Sequence, residues 1–173
     1  MLFLFAIVLG LGFGLLTGGR IGNLARLRFR WPWLILGALV VREAIVRTPL
    51  SQVEGAQYAY VLALASILAW TIWHFSRLRA IWLVTVGSAM NLLVIVVNGA
   101  RMPVAAELAG PILSHGTLGQ YRAMGPDTHL NLLADWIRLY PSAEVYSPGD
   151  VLIAIGLAVT VFIATATPAR IVD

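Results

Sequence analysis

Five long apolar runs divide this chain of 173 residues, and they constrain its fold more than any other feature. The runs cover about residues 2–17, 31–46, 58–75, 81–97 and 151–166. Hydrophobic residues make up 60% of the sequence and charged residues 12%, whereas soluble domains average about 45–50% and about 25%. The sequence therefore predicts an all-α fold, a single integral membrane bundle of five transmembrane helices.

The charges that flank the runs predict an orientation in the membrane. Arginine and lysine concentrate in cytoplasmic loops. One set of loops carries seven arginines against one acid, a charge of +6, and the other carries five against seven, a charge of −2, which together give the total of +4. The positive set is Arg20, Arg26, Arg28, Arg30, Arg77, Arg79 and Arg170 against Asp173; the other is Arg42, Arg47, Arg101, Arg122 and Arg138 against Glu43, Glu54, Glu107, Asp127, Asp135, Glu144 and Asp150. We expect the N-terminus outside the cytoplasm and the C-terminus inside it.

Residues 98–150, between the fourth and fifth runs, form the longest polar stretch, and the orientation predicts that they make an extracytoplasmic cap. Gly110-Pro111 indicates a helix break within it. From about Asp127 to Tyr140 the apolar residues recur at helical spacing, which predicts an amphipathic helix on the outer surface. Because loops of this length are usually functional, we look for the site in the cap.

Two carboxylates of the cap, Asp135 and Asp150, are the candidate catalytic residues. Neighbouring carboxylates that cannot easily both ionise can share a proton and activate water. Each also has a structural interpretation: Asp150 as the N-cap of the last helix, and Asp135 as a solvated partner of Arg138. Asn98, Arg101, Asp127 and Asn131 are candidate binding residues, although Asn98 and Arg101 could equally satisfy the end of the fourth helix and meet lipid phosphate.

Polar residues within the apolar runs are expected to serve the structure. Adjacent charges on a helix point in different directions, so Arg42 and Glu43 should reach separate partners or extend outward to the membrane surface. Asn91 is expected to make a helix–helix hydrogen bond. His74, among tryptophans, is expected to lie at the membrane interface with its polar tip in water rather than to bind haem or pigment. Glycines at positions 10, 14 and 18 predict a groove in which another helix packs closely.

Several function classes are not indicated by the composition. The chain has no cysteine, which excludes disulfides and thiolate chemistry, and its histidines show no metal-ligand spacing. The arginines are scattered around apolar runs, so the basic charge does not indicate nucleic acid. We expect no cofactor and no metal, and as partners membrane lipids and other membrane protein subunits.

Four motifs together resemble a family of short bacterial integral membrane proteins that is known only as a domain of unknown function. They are Gly18-Gly19-Arg20, the sequence NGARMPV at 98–104, the stretch from Thr128 to Asp135, and SPGD at 147–150. The resemblance implies a multi-pass protein of the bacterial inner membrane. It implies no activity.

The segment LADWIRLYPSAEVYSPGDVLIAIG, residues 133–156, is similar in layout to the end of the lipoprotein signal peptidase. That resemblance implies Asp135 and Asp150 as a catalytic dyad, with Asn98 as a residue that orients the substrate. The last motif differs, because it has Ser-Pro-Gly-Asp where the peptidase has Asn-x-Ala-Asp.

Three function classes follow as expectations, and whether the protein is an enzyme stays open. The first is a binding, transport or accessory subunit that acts through its extracytoplasmic cap. The alternative is a membrane-embedded aspartyl hydrolase that uses Asp135 and Asp150. A channel or carrier is the least favoured, because few ionisable residues lie deep in the apolar runs. For the hydrolase, the two carboxylates should lie within about 5 Å, close enough to perturb each other's pKa, and should face a groove that is open to lipid. If Asp150 only caps its helix and Asp135 points to bulk water, the hydrolase is excluded.

Overall fold

The computed structural model describes residues 1–27, 29–53, 55–108, 120–140 and 144–166. Five α-helices lie within three residues of the five predicted runs, so the predicted helices are confirmed. They are α1 (Leu2–Leu16), α2 (Pro32–Arg47), α3 (Ala56–Trp73), α4 (Ile81–Val97) and α5 (Pro148–Ala166). The predicted break at Gly110-Pro111 lies outside the described residues.

Two of these helices, α3 and α5, are long and apolar enough to cross a membrane. In each, only 22% of the most apolar stretch is buried by the rest of the protein. The helices α1 and α4 are also apolar but shorter, with 15 and 17 residues. Apolar side chains of the bundle therefore face outward along much of its surface.

Helix α5 packs between α1 and α4, and glycines set the closeness of both contacts. A Cβ at Gly10 would overlap the carbonyl of Ala158, and one at Gly14 would lie 2.7 Å from Cβ of Thr165. The predicted groove is thus present at these two glycines. Gly18 is not part of it, because it adopts a turn with φ of +88° and has open space around its Cβ position.

The cap is joined to the bundle through a shared core at the end where α2 and α4 finish. Ile45, Tyr60, Val94, Met102 and Ala134 pack together there, drawn from α2, α3, α4 and the cap. Because α1 and α5 begin at the same end, residues from all five helices approach the cap.

The cap contains strands where an amphipathic helix was predicted, so the prediction of an α-helix over 127–140 is wrong, and the fold is mostly helical rather than all-α. Strand β1 (Met102–Val104) pairs in parallel with β2 (Tyr121–Ala123), and β3 (Ile137–Arg138) pairs antiparallel with β4 (Val145–Tyr146). Between them lies a single 3-10 turn, Asn131–Leu133.

Long-range backbone hydrogen bonds explain why the helical spacing of apolar residues in 127–140 does not produce a helix. The N–H of Asp135 donates to the carbonyl of Pro103 at 3.0 Å, and its carbonyl accepts from Ala105 at 2.9 Å. Ala134 is extended, and Leu130 adopts a left-handed conformation with φ of +57°. Pairing with residues some thirty positions earlier therefore outweighed the local propensity for helix.

At the opposite end of the bundle, His74 is fully buried, so its prediction as an interfacial residue with a wet tip is wrong. Its ring stacks on Trp70 with centroids 3.8 Å apart. Nε2 accepts from the backbone N–H of Arg30 at 3.1 Å, which places the ring proton on Nδ1, 2.8 Å from the carbonyl of Trp70. Nε2 thus fastens the loop before α2 to the end of α3, while Nδ1 holds the ring against its own helix.

Candidate functional site

A cavity of about 440 Å³ opens where the cap meets the helix ends, and it contains both predicted catalytic carboxylates. Residues from the start of α1, the end of α2, the cap and the start of α5 line it. They are Met1, Leu2, Phe3, Arg42, Glu43, Gln120, Tyr121, Asp135, Glu144, Val145, Tyr146 and Asp150. Its volume is in the range of small-molecule sites.

Asp135 is held by its backbone and leaves its side chain for the cavity. The two backbone hydrogen bonds to the Met102–Val104 strand region fix its position, and only 5% of the residue is exposed. Its Oδ1 is buried without a hydrogen-bond partner among the described residues. The expected solvated pair with Arg138 is wrong, because Asp135 is buried and Arg138 is exposed.

The environment of Asp135 favours its protonated form. Burial, with a smaller effect from the negative charge of Asp150, raises the pKa of this carboxyl to about 8. Burial, with a smaller effect from the charge of Asp135, also raises the pKa of the neighbouring Tyr121 hydroxyl. A carboxylic acid that keeps its proton at neutral pH can donate a hydrogen bond to whatever occupies the cavity.

Asp150 belongs to a capping box, and Ser147 rather than Asp150 is the N-cap of α5. The N–H of Asp150 donates to Oγ of Ser147 at 2.9 Å, and Oδ2 of Asp150 accepts from the N–H of Ser147 at 3.1 Å. This reciprocal pair satisfies two amides that a helix start leaves open. The predicted capping role was therefore assigned one turn too late, since α5 begins at Pro148.

Asn91 of α4 completes the network around Asp150 and makes the helix–helix contact predicted for it. Its Nδ2 donates to Oδ1 of Asp150 at 2.9 Å, and its Oδ1 accepts from Oγ of Ser147 at 2.8 Å. A Cβ at Gly149 would overlap Oδ1 of Asn91 and would lie 2.7 Å from the carbonyl of Gly87. The SPGD motif is thus a lock between α4 and α5 that orients the Asp150 carboxylate.

Two ion pairs form the other side of the cavity. Arg42 and Glu43 pair with each other, which corrects the expectation that they reach separate partners. The ammonium group of Met1 lies 2.8 Å from Oε2 of Glu144, which also accepts from the hydroxyl of Tyr146 at 2.5 Å. The lining therefore combines paired charges with the Asp135–Asp150 pair.

The four predicted binding residues lie elsewhere in the cap. Asn98 is buried, and its amide holds the backbone of His129: Nδ2 donates to the His129 carbonyl at 2.8 Å, and Oδ1 accepts from its N–H at 2.9 Å. The side chains of Arg101 and Asp127 make no hydrogen bond or ion pair to a described residue. Asn131 begins the 3-10 turn, with its Oδ1 buried and unpaired among the described residues.

Several lining residues were not predicted from the sequence. Gln120 and Tyr121 carry no sequence signal, because they reach the cavity only through the pairing of β2 with β1. Arg42 and Glu43 did carry one, since two charges near the end of an apolar run need a polar neighbour. Ser147 also could have been recognised, as Ser-x-x-Asp before an apolar run is the pattern of a capping box.

The described residues contain no group of three or more histidine and acidic side chains placed to hold a metal ion. Both nitrogens of His74 already contact backbone atoms, so this residue would have to leave its partners to bind a haem or pigment. The polar groups that line the cavity are instead carboxyl, amide and hydroxyl groups, the Arg42 guanidinium and the Met1 ammonium.

Residues 26–162 match the family of unknown function DUF5317. The chain belongs to this family. The match includes the cavity residues from Arg42 to Asp150 and confirms the predicted membership of an uncharacterised family. No curated protein and no solved structure matches the chain.

Proposed function

We propose that this DUF5317 protein is a five-span protein of the bacterial inner membrane that binds a ligand in the cavity between its helices and its extracytoplasmic cap. The observation that carries the binding function is the cavity itself, with a buried, protonated Asp135 beside Asp150. Such a protein acts as a binding, transport or accessory subunit, with membrane lipids and other membrane subunits as its partners.

The membrane arrangement is supported by the outward-facing apolar side chains of every helix. Burying exposed apolar area of this extent requires lipid or other membrane proteins. Examples on α1 to α5 are Phe5, Val40, Leu62, Val96 and Ile155, each at least 46% exposed. The short helices α1 and α4 would cross with help from interfacial aromatic residues and local thinning of the bilayer.

The orientation is supported by the ends that the contacts bring together. Backbone and side-chain hydrogen bonds join Arg20 and Asn23 to Thr165, and Arg30 to His74, so the arginine-rich loops share one end of the bundle. The cap and its carboxylates lie at the other end. Under the positive-inside rule, the arginine-rich end is cytoplasmic.

Cysteine labelling tests this topology, because the natural chain contains no cysteine. Asp127 and Arg77 are both exposed, one in the cap and one in an arginine-rich loop. We expect a membrane-impermeant maleimide to label the Asp127→Cys variant in intact cells and the Arg77→Cys variant only after permeabilisation. Equal labelling of both variants in intact cells would contradict the topology.

Purification in mild detergent tests the binding function. Native mass spectrometry should find a lipid or small molecule on the wild-type protein. The Val145→Trp variant should retain less of it, because Val145 lines the cavity and a tryptophan would fill the space. Leu132→Trp is the matched control, since Leu132 is exposed on the cap and does not line the cavity. Equal retention by both variants would refute binding in this cavity.

The two carboxyl groups differ in their surroundings, because Asp150 accepts hydrogen bonds from Asn91 and Ser147 whereas Oδ1 of Asp135 has no partner among the described residues. This difference favours a membrane-embedded aspartyl hydrolase as a second candidate. In such an enzyme, the Asp150 carboxylate would take a proton from water as that water attacks a carbonyl carbon. Protonated Asp135 would donate its proton to the carbonyl oxygen. Collapse of the tetrahedral intermediate would break the bond to the leaving amine, which takes the proton that Asp150 holds, while a hydroxyl of the intermediate returns a proton to Asp135. The shared cavity, the electrostatic effect of Asp150 on Asp135 and the raised pKa of Asp135 support these roles.

N-terminal proteomics of membranes that contain the protein tests the hydrolase. The Asp135→Asn and Asp150→Asn variants should each remove the cleavage products that the wild type generates, at unchanged expression. Asp127→Asn, which alters an exposed carboxylate of the same cap, should leave those products in place. If Asp135→Asn gives the wild-type products, the carboxyl pair is not catalytic.

A further inference from the structure

The cavity has more acidic groups than cationic groups. The described residues that line it supply two cations, the Met1 ammonium and Arg42, and four carboxyl groups, Glu43, Asp135, Glu144 and Asp150. The lining has a charge of two minus three, or −1, while Asp135 holds its proton, and two minus four, or −2, once Asp135 is ionised. The Met1 ammonium is paired with Glu144, and Arg42 is paired with Glu43. Asp150 has the hydrogen bonds of Asn91 and Ser147 but no cation among the described residues.

The lining also contains buried oxygen atoms that lack hydrogen-bond donors. Oε1 of Gln120 and Oδ1 of Asp135 have no partner in the described part of the chain. Both residues are more than nine-tenths buried, with 8% and 5% exposed. Buried acceptors are nearly always satisfied in folded proteins, by protein, water or ligand. A ligand that carries several N–H donors would therefore complete this site.

Both needs point to one kind of ligand. We propose that the cavity binds a primary ammonium group, which donates hydrogen bonds to Gln120 and Asp135 and neutralises the charge near Asp150. A primary ammonium carries a positive charge and three N–H donors, whereas a quaternary ammonium carries the charge alone. This proposal rests on the proposed binding function and specifies its ligand. The ammonium belongs either to a free amine or to the headgroup of an aminolipid.

Binding of an ammonium group should be linked to the release of a proton. A cation beside Asp135 favours its ionised form and lowers the pKa of a carboxyl group that otherwise titrates at about 8. Among the described residues, the other charged or titratable groups near this carboxyl are the Met1 ammonium, Arg42, Glu43, Glu144, Asp150, Tyr60, Tyr121 and Tyr146. The affinity for the cation should therefore rise as the pH increases towards about 8 and level off above it.

Isothermal titration calorimetry of the detergent-purified protein tests the proposal, with ethylammonium and tetramethylammonium as the probes. Ethylammonium should bind at least about tenfold more tightly, because only it donates N–H hydrogen bonds. At pH 7, its binding enthalpy should vary with the ionisation enthalpy of the buffer, which reports the released proton. Equal binding of the two cations, or no binding of ethylammonium, would overturn the proposal for a free amine.

Nanodiscs distinguish an aminolipid from a free amine. If the ligand is a headgroup, phosphatidylethanolamine should raise the unfolding temperature above that in phosphatidylcholine, whose headgroup has no N–H donor. If the ligand is a free amine, ethylammonium should give this increase in phosphatidylcholine nanodiscs. An increase in either arm supports the proposal and names the source. The absence of both overturns it.

Variants connect the binding to the named residues. Gln120→Leu and Asp135→Asn should each weaken ethylammonium binding or remove the effect of the aminolipid, whereas Asp127→Asn should not.

Failure of the ammonium proposal is distinguishable from failure of the binding function. If a different molecule is retained by the wild type and lost from Val145→Trp, binding stands and the ammonium class is wrong. If no molecule is retained and neither probe binds, both are wrong.

Discussion

The burial of Asp135 predicts that this one residue makes the stability of the protein depend on pH. In the folded state, its carboxyl titrates at about 8 instead of at its ordinary value of 3.8. Between these two values the folded protein holds the proton and the unfolded chain does not. The free energy of unfolding therefore falls as pH rises through this window. The stabilisation is complete below about pH 4 and is lost by about pH 8.

The size of the effect follows from the proton difference. One proton gives a slope of about 1.4 kcal/mol per pH unit, and the slope flattens as pH approaches the folded pKa. From pH 6 to pH 8 the loss is therefore roughly 2 kcal/mol. For a chain of this length, that corresponds to a decrease of roughly 4–8 °C in unfolding temperature. The carboxyl is almost fully buried, so solvent screening reduces this figure little.

Thermal unfolding in detergent from pH 5 to pH 9 measures the effect. The wild-type unfolding temperature should fall across pH 6–8. The Asp135→Asn variant should lack this fall, because its amide does not titrate. Asp127→Asn is the control, since its side chain is exposed and should not alter the profile. Parallel profiles for wild type and Asp135→Asn would refute the reasoning that Asp135 is buried as the neutral acid.

Three further predictions concern packing and buried hydrogen bonds. Gly149→Ala should lower the free energy of unfolding by about 1–3 kcal/mol because its methyl group overlaps α4. Gly12→Ala, with open space around its Cβ, should not destabilise the protein. Equal free energies of unfolding for the two variants would refute the tight crossing. His74→Phe should lower the free energy of unfolding by about 2–3 kcal/mol because it loses two buried hydrogen bonds. His129→Phe, at an exposed residue, should change it little in the same unfolding assay. Similar losses for both variants would contradict the burial of His74. Asn98→Ala should cost about 1–3 kcal/mol and raise hydrogen exchange at the His129 amide, and unchanged exchange there would contradict the contact.

The sequence predicted the helices well because their signal is local. Each apolar run is long, and Pro32 at the start of the second run is itself a helix-start signal. The contact between Asn91 and the last helix could also be anticipated, since a polar residue deep in an apolar helix needs a partner.

The cap could not be predicted in the same way. Its apolar spacing from Leu130 to Tyr140 fits a helix, but Asp135 pairs its backbone with Pro103 and Ala105 instead. Nothing near Asp135 in the sequence indicates that pairing. The same reason explains why Gln120 and Tyr121 were missed as lining residues.

By itself, the sequence determined the five apolar helices, the asymmetry of charge between the two ends and the two carboxylates worth testing. These depend on composition and on neighbours within a few positions, which the chain carries in any environment. Only the tertiary structure decided that Asp135 is buried, that Asp150 is locked by Ser147 and Asn91, and that both meet in one cavity. Burial and the field of another charge are properties of position in space, and residues far apart in the chain create them.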